Sequence, residues 1–125
     1  MPEKILVVED NEQNRILMRQ ILTRHGYDLL EAKDGLTGIE MARAHMPALI
    51  LLDIQMPVMN GFAVIRELRN NPELRKIKAI AVTSFAMKGD REKALQAGFD
   101  EYVTKPIDTR EFPELVKQVL SRMRP

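Results

Sequence analysis

The chain has 125 residues, 45% of them apolar, which is enough for one domain with a hydrophobic core and too few for two domains of ordinary size. Its 19 basic and 18 acidic side chains give a net charge of +1, so its electrostatics give no reason to expect binding to nucleic acid or to a membrane. No cysteine is present, which excludes disulfides and thiolate metal sites, and no segment has the pattern of a signal peptide or a membrane span. We therefore expect a single cytoplasmic domain over residues 1–125.

In the first half of the chain, short apolar segments alternate with longer amphipathic ones. The short segments predict strands, and the longer ones carry apolar residues at helical spacing before a glycine or proline stop. In chain order the predicted elements are a strand at Lys4–Val8, a helix at Glu12–His25 ended by Gly26, a strand at Tyr27–Ala32, a helix opened by Asp34-Gly35 and ended by Pro47, and a strand at Leu49–Leu52. The second helix is predicted to have an apolar face of Leu36, Ile39, Ala42 and Met46.

The second half continues the same alternation. In chain order it predicts a helix after Gly61 that is broken at Asn70-Asn71-Pro72, a strand at Ile77–Val82, a helix from about Lys88 to Ala97 stopped by Gly98, a strand at Glu101–Thr104, and a last helix. Asp108 and Glu111 have the spacing of a capping box at the start of that helix. Strict alternation of five strands and five helices predicts a parallel sheet covered by helices on both faces, with right-handed crossovers.

The strand at Leu49–Leu52 is the one around which the others are organised. Its four consecutive aliphatic residues are typical of a strand buried on both faces of a parallel sheet. Asp53 follows at its carboxyl end, and Pro57 and the turn residues Asn60-Gly61 end the extended segment. Ligands of such sheets bind at this edge, so we expect Asp53 to face solvent and to be the functional residue.

Polar residues follow the other strands at the same edge of the predicted sheet. Taken singly, each is more often a helix cap or a solvated surface group than part of a site. Their joint occurrence at the carboxyl ends of parallel strands favours a common function. The residues are Glu9 and Asp10 after the first strand, Asp53 after the third, Thr83 and Ser84 after the fourth, and Lys105 after the fifth.

This set of residues predicts phosphoryl chemistry. Three carboxylates in one crevice repel one another unless a cation lies among them, and hard oxygen ligands favour Mg²⁺, for which Mn²⁺ could substitute. A lysine, a hydroxyl and a free backbone amide beside that ion can receive a phosphoryl group. An aspartate held there can act as a nucleophile and form an aspartyl phosphate.

These residues resemble the receiver domains of two-component response regulators. The segments that carry the likeness are Val-Val-Glu9-Asp10-Asn11, Leu-Leu-Asp53-Ile-Gln-Met-Pro-Val-Met-Asn-Gly61, Ala-Val-Thr83-Ser84 and Lys105-Pro106. The resemblance covers the whole chain and implies the flavodoxin-like α/β fold, a doubly wound five-stranded parallel sheet of order 2-1-3-4-5 with five helices. It also implies that Asp53 is the phosphoacceptor and that Asp10, Asp53 and the Gln55 backbone carbonyl ligate Mg²⁺, with Glu9 acting through a bound water.

The same resemblance assigns roles to the remaining residues of the edge. Thr83 closes on the phosphoryl group, the Ser84 backbone amide contacts it, and Lys105 pairs with it. The Lys105-Pro106 bond is expected to be cis. Tyr102 matches the switch aromatic that moves inward behind Thr83, although a tyrosine half-covering an edge strand is the simpler reading without the family.

The function implied by the resemblance is a phosphorylation switch. A histidine kinase or phosphotransfer protein is the expected donor, and the chain promotes its own phosphorylation and dephosphorylation, so it is not expected to be an enzyme. The segment Phe85–Asp90 resembles stand-alone receivers of the DivK type, for which cell-cycle regulation is one process. The chain leaves no room after the last helix for a DNA-binding domain, so we expect output through contact with a protein, which could be a kinase, and a monomer or weak dimer. A fragment of a larger regulator would look the same.

Three other functions have sequence features that speak against them. A constitutive adaptor with this fold would be favoured by loss of an acidic residue, the threonine or the lysine, and none is lost. A flavodoxin-type small-molecule binder needs a phosphate-cradling loop after the first strand, where Glu9 and Asp10 would repel phosphate. A phosphatase or kinase needs a general base, and none is evident outside the acidic cluster.

Overall fold

The computed structural model describes residues 2–84 and 88–122. Five strands and five helices alternate along the chain, and the sheet order β2-β1-β3-β4-β5, parallel throughout, confirms the predicted fold. The elements are β1 Lys4–Val8, α1 Glu12–Arg24, β2 Asp28–Ala32, α2 Gly35–His45, β3 Leu49–Asp53, α3 Gly61–Asn70, β4 Lys78–Thr83, α4 Asp90–Ala97, β5 Glu101–Thr104 and α5 Glu111–Ser121.

The core lies on both faces of this sheet, as the run of aliphatic residues in β3 predicts. All five residues of β3 are buried, because the strand has neighbours on both sides and helices above and below. Alternate residues of β3 point into opposite apolar clusters: Leu51 lies in the cluster that includes α1 and α5, and Leu52 in the cluster that includes α2 and α3. This packing fixes the central strand, and with it the position of Asp53.

Three predicted element starts differ from the structure by one or two residues. The Tyr27 amide donates to Leu22 O at the end of α1, so β2 begins one residue later. The Ile77 amide likewise donates to Leu74 O in the preceding turn, and β4 runs from Lys78 to Thr83. In each case a local turn hydrogen bond takes the backbone group that the strand would need. The helix α4 begins at Asp90, because Gly89 is the N-cap with φ +89°.

The predicted apolar face of α2 is partly wrong. Ile39 and Ala42 are buried, but Leu36 is 61% exposed and Met46 is 49% exposed. Met46 is the C-cap, with a left-handed backbone (φ +46°), so it has left the helical stripe before Pro47. The helix instead approaches the sheet through Gly38, where a Cβ atom would lie 2.9 Å from Val8.

The capping prediction for the last helix is half right. Asp108 Oδ1 accepts hydrogen bonds from the amides of Arg110 (2.7 Å) and Glu111 (2.8 Å). The helix nevertheless begins only at Glu111, with Arg110 as its N-cap residue, so Asp108 lies two residues before the N-cap position that a capping box requires.

The loop between β3 and α3 returns very close to the strand it leaves. Gly61, the first residue of α3, has no room for a side chain, since a Cβ atom there would lie 2.8 Å from Asp53 O and from Ile54 Cα. The Gly61 amide donates to Ile54 O at 3.0 Å. This glycine therefore lets the helix start directly behind the end of β3. In the described part of the chain, no helix has the length and apolar character needed to cross a membrane.

Candidate functional site

The polar residues predicted to share one edge of the sheet do lie together there. Glu9 and Asp10 directly follow β1, Asp53 is the last residue of β3, and Thr83 is the last residue of β4. Lys105 follows β5, and its amide donates to Thr83 O at 2.7 Å. The register of a parallel sheet brings these ends side by side, which is why residues far apart in sequence form one cluster.

The centre of the cluster is a set of three carboxylates. One ligand oxygen from each of Glu9, Asp10 and Asp53 lies within 4.8 Å of the other two. Glu9 is completely buried, and Asp10 is exposed and opens the cluster to solvent. Oxygen donors at this separation, partly open to water, fit a hard divalent cation that keeps some of its water ligands.

Asp53 is buried, with only 4% of its surface exposed, and this corrects the expectation that it faces solvent. The loop that follows β3 is the reason, because it turns back over the strand end towards Gly61. The carboxylate is held in place: Asp53 Oδ1 accepts a hydrogen bond from the Gln55 amide at 3.0 Å. A buried, oriented carboxylate needs a counter-charge, and the site supplies one.

That counter-charge is the ammonium of Lys105. Its Nζ atom lies 2.5 Å from Glu9 Oε1 and 3.4 Å from Asp53 Oδ2, and the lysine side chain is only 11% exposed. One positive charge faces three carboxylates, so the cluster retains an excess of negative charge when all three are ionised. A divalent cation would cancel that excess. The Lys105-Pro106 peptide bond is cis.

The pKa of Glu9 is raised to about 7, and burial is the largest cause. The hydrogen bond that links Glu9 to Asp53 also raises this pKa, while the Lys105 ammonium and the Asn11 amide hold it down. The physical meaning is that water is excluded from a carboxylate that also faces a second acid. The raised pKa of Glu9 is therefore a consequence of its burial first and of the neighbouring Asp53 carboxylate second.

The side chain of Gln55 makes a contact that the sequence did not indicate. Its Oε1 atom accepts a hydrogen bond from the Ser84 amide at 3.1 Å, across the gap between the ends of β3 and β4. The resemblance implies that the Ser84 amide binds the phosphoryl group. In this structure the amide instead donates its hydrogen bond to the side-chain oxygen of Gln55. Long polar side chains after strand ends were the only signal for such a contact, and that signal is weak.

The two residues predicted to switch lie on neighbouring strands. Thr83 is 2% exposed at the end of β4, and Tyr102 is half-buried on the edge strand β5, in register with Ala81. The Tyr102 hydroxyl is itself buried, and burial raises its pKa, with the nearby Asp90 carboxylate as the second cause. The first residues of the segment Phe85–Asp90, on which the DivK-type likeness rests, lie outside the described residues.

Comparison with known proteins gives the same family. Residues 5–117 match the family described as the response regulator receiver domain. The polar-differentiation response regulator DivK of Brucella anthropi is 44% identical over 120 residues, which is 96% of this chain and 98% of that protein. DivK of Brucella ovis is 43% identical over the same shares.

Solved structures of similar shape agree. The receiver domain of the sensor histidine kinase PA1611 of Pseudomonas aeruginosa, which has a magnesium ion coordinated in its active-site cleft, has a TM-score of 0.89 and 32% identity over 98% of this chain and 100% of that one. A putative response regulator of Chloroflexus aurantiacus has a TM-score of 0.93 at 21% identity, over 98% and 100% of the two chains, and it supports the fold alone.

Proposed function

This chain belongs to the response regulator receiver family and is a phosphoacceptor of two-component signalling, and we propose that Asp53 is the residue that accepts the phosphoryl group. The observation that carries the proposal is the placement of Asp53. Its carboxylate is 4% exposed, 3.4 Å from the Lys105 ammonium, and within 4.8 Å of the carboxylates of Glu9 and Asp10. Asp10 is the only other aspartate of the cluster, and it is exposed and has no hydrogen bond to its carboxylate among the described residues.

The acidic cluster is typical of a receiver metal site, and we assign Mg²⁺ to it. Asp10, Asp53 and the Gln55 backbone carbonyl are the proposed ligands, with Glu9 acting through a bound water. Mn²⁺ is expected to substitute, because it also takes oxygen ligands. When bound, the cation neutralises the carboxylates and the oxygens of the incoming phosphoryl group. PA1611 supports this assignment, since its receiver domain has a magnesium ion coordinated in its active-site cleft.

In the transfer, a carboxylate oxygen of Asp53 attacks the phosphorus, and the bond from phosphorus to the histidine nitrogen of the donor breaks. The donor keeps the electron pair of that bond on its imidazole, and Asp53 becomes an acyl phosphate. The ammonium of Lys105 lies beside the attacking carboxylate, so it can stabilise the negative charge of the phosphoryl group as that group passes from the donor to Asp53. The hydroxyl of Thr83 and the amide of Ser84 are the groups proposed to bind the transferred oxygens.

The Gln55 side chain has to leave the Ser84 amide before a phosphoryl oxygen can bind there, because the amide offers one hydrogen. Phosphorylation therefore exchanges one acceptor for another and draws the end of β4 towards Asp53. The phosphorylated aspartate carries a charge of about −1.5 to −2 near neutral pH, a strong electrostatic bias on this loop. Reversing a 1:99 population requires about 5.5 kcal/mol of differential interaction, and a partial shift requires less.

The signal is proposed to leave through contact with another protein. Tyr102 follows Thr83 inward and changes the surface around β5, which a protein partner such as a kinase then recognises. A histidine kinase or phosphotransfer protein is the donor that the family implies, so the chain accepts a group on itself and does not turn over a separate substrate. The proposed setting is the cytoplasm, with the chain as a monomer or weak dimer.

Intact-mass spectrometry after incubation with a small acyl phosphate tests this proposal. With Mg²⁺ present we expect one phosphoryl adduct on the wild type, and we expect none after chelation or in Asp53→Asn. Asp28→Asn is the matched control, since Asp28 is an exposed aspartate at the start of β2, at the amino-terminal ends of the strands and so away from the acidic cluster. An adduct of undiminished yield in Asp53→Asn would refute the assignment. If the wild type also takes no phosphoryl group from a phosphohistidine donor protein, the constitutive adaptor is the better account.

A further inference from the structure

Arg15 contacts the backbone of the acidic cluster from the first helix. It lies one turn into α1, which begins at Glu12, and its Nη1 donates a hydrogen bond to the backbone carbonyl of Glu9 at 2.8 Å. The arginine side chain is only 16% exposed. A guanidinium this well covered, bonded to a carbonyl at the end of β1, is in a fixed position.

An ion pair with Glu31 also holds the arginine in that position. Arg15 Nε lies 3.7 Å from Glu31 Oε1, and Glu31 in turn receives two hydrogen bonds from Arg19, at 2.7 and 2.8 Å. Glu31 is on β2, in register with Val7 of β1. The carboxylate of Glu31 therefore ties Arg15 to the strand that flanks the acidic cluster.

The hydrogen bond from Arg15 fixes the peptide group that joins Glu9 to Asp10. The other side of Glu9 is fixed as well, because its amide donates to Ala32 O at 3.0 Å and its carboxylate accepts from the Asn11 amide at 3.2 Å. Asp10 is different, since its carboxylate is exposed and accepts no hydrogen bond among the described residues. Its direction is therefore set by its backbone, and Arg15 holds that backbone.

We propose that Arg15 is a positioning residue for the cation site, which orients the Asp10 carboxylate through the Glu9–Asp10 peptide group. The proposal rests on the function proposed above, in which Asp10 is a metal ligand. Groups that orient a metal ligand without touching the metal typically contribute 10- to 100-fold in metal affinity. Since Arg15 acts through the backbone, we expect its loss to cost about 10-fold.

The sign of the effect separates positioning from simple electrostatics. Removing a positive charge near an anionic site makes it more negative, so the electrostatic contribution alone would strengthen Mg²⁺ binding. Loss of positioning weakens it. Arg19→Met is the matched control, because it removes the other arginine paired with Glu31 and leaves the bond from Arg15 to Glu9 in place.

Calorimetric titration with Mg²⁺ alone, without any phosphoryl donor, measures the affinity directly. We expect about 10-fold weaker binding in Arg15→Met and a change within about twofold in Arg19→Met. Arg15→Lys keeps the charge, but one ammonium cannot reproduce the guanidinium fork that reaches both the Glu9 carbonyl and Glu31, so binding stays weaker than in the wild type. At saturating Mg²⁺, Arg15→Met is expected to regain the wild-type rate of phosphorylation from a small acyl phosphate.

Each failure has a separate signature. Unchanged or tighter Mg²⁺ binding in Arg15→Met, with wild-type binding intact, overturns the positioning role and leaves the proposed function untouched. Absence of Mg²⁺ binding in the wild type overturns the proposed function itself. If Arg15→Met proves unfolded by far-ultraviolet circular dichroism, Arg15→Lys decides the question, since wild-type affinity in that variant would refute the role.

Discussion

Replacing Lys105 with methionine tests whether the buried carboxylates depend on its ammonium. The change removes the positive charge 3.4 Å from Asp53 Oδ2 and leaves two buried acids facing each other. At 3.4 Å, and with an effective dielectric constant of about 20, that single pair contributes about 5 kcal/mol of gross Coulomb energy. Protonation of Glu9 in the variant offsets part of this loss, and so does the desolvation cost of the buried ammonium, which the variant no longer carries. We expect the free energy of unfolding to fall by about 3 kcal/mol in chelator, in the range observed when one partner of a buried pair is removed.

Urea denaturation followed by far-ultraviolet circular dichroism gives this free energy, since the chain has no tryptophan. The control is Lys78→Met, because Lys78 is also partly buried but its ammonium donates to a backbone carbonyl, that of Leu120, at 3.3 Å. We expect a loss of about 1 kcal/mol or less there. Adding Mg²⁺ should reduce the difference in free energy of unfolding between Lys105→Met and the wild type, because the ion supplies the missing positive charge. If Lys105→Met in chelator loses no more stability than Lys78→Met, the reasoning about the buried pair is wrong.

Three further predictions concern single residues, namely Gln55, Val58 and Asp34. Gln55→Leu removes the side-chain oxygen that accepts from the Ser84 amide, so the amide is free to bind a ligand. Since one exposed hydrogen bond contributes about 1 kcal/mol, a titration with beryllium fluoride and Mg²⁺ should show about fivefold tighter binding of the fluoride. Unchanged binding would contradict the idea that Gln55 competes with the phosphoryl group for this amide. Val58 is fully exposed and has a left-handed backbone with φ +67°, which a β-branched residue adopts at a cost and asparagine tolerates. Urea denaturation of Val58→Asn should therefore give a free energy of unfolding about 1 kcal/mol higher than that of the wild type. A lower value would show that the valine side chain makes a stabilising contact. The hydrogen bond from the Thr37 amide lowers the pKa of Asp34 in the folded protein below its usual 3.8. The ionised Asp34 carboxylate therefore stabilises the fold fully at pH values above 3.8. This stabilisation disappears as the pH falls through the lower pKa of the folded state. Asp34→Asn keeps a capping oxygen but cannot titrate, so the stability of the wild type relative to this variant should decrease as the pH falls below about 4, and a constant difference would contradict the shift.

The sequence was sufficient to predict the sheet and the cluster at its edge. Five alternating strands and helices allow few arrangements, and the carboxyl ends of parallel strands must meet, so Glu9, Asp53 and Lys105 could be grouped without any contact being known. The alternation and the grouping follow from local pattern and general rules of chain topology, whereas the strand order came from the family resemblance.

The burial of Asp53 and the contacts around it could not be predicted in the same way. Burial depends on how the loop after β3 turns back to Gly61, and no hydrophobic pattern encodes that path. The bond from Arg15 to the Glu9 carbonyl joins a helix to a strand end, and its anchor Glu31 comes from another strand. Such contacts depend on the relative placement of three elements, whereas periodicity describes one element at a time.

The assignment of Asp53 is tested most directly by locating the phosphorylated residue. Borohydride reduces an acyl phosphate to an alcohol with loss of phosphate, so a phosphorylated aspartate becomes homoserine and is identified by peptide mass spectrometry. After incubation with a phosphoryl donor and Mg²⁺, the account predicts homoserine at position 53 and at no other aspartate. Homoserine at Asp10, or at any position in the Asp53→Asn variant at wild-type yield, would contradict it.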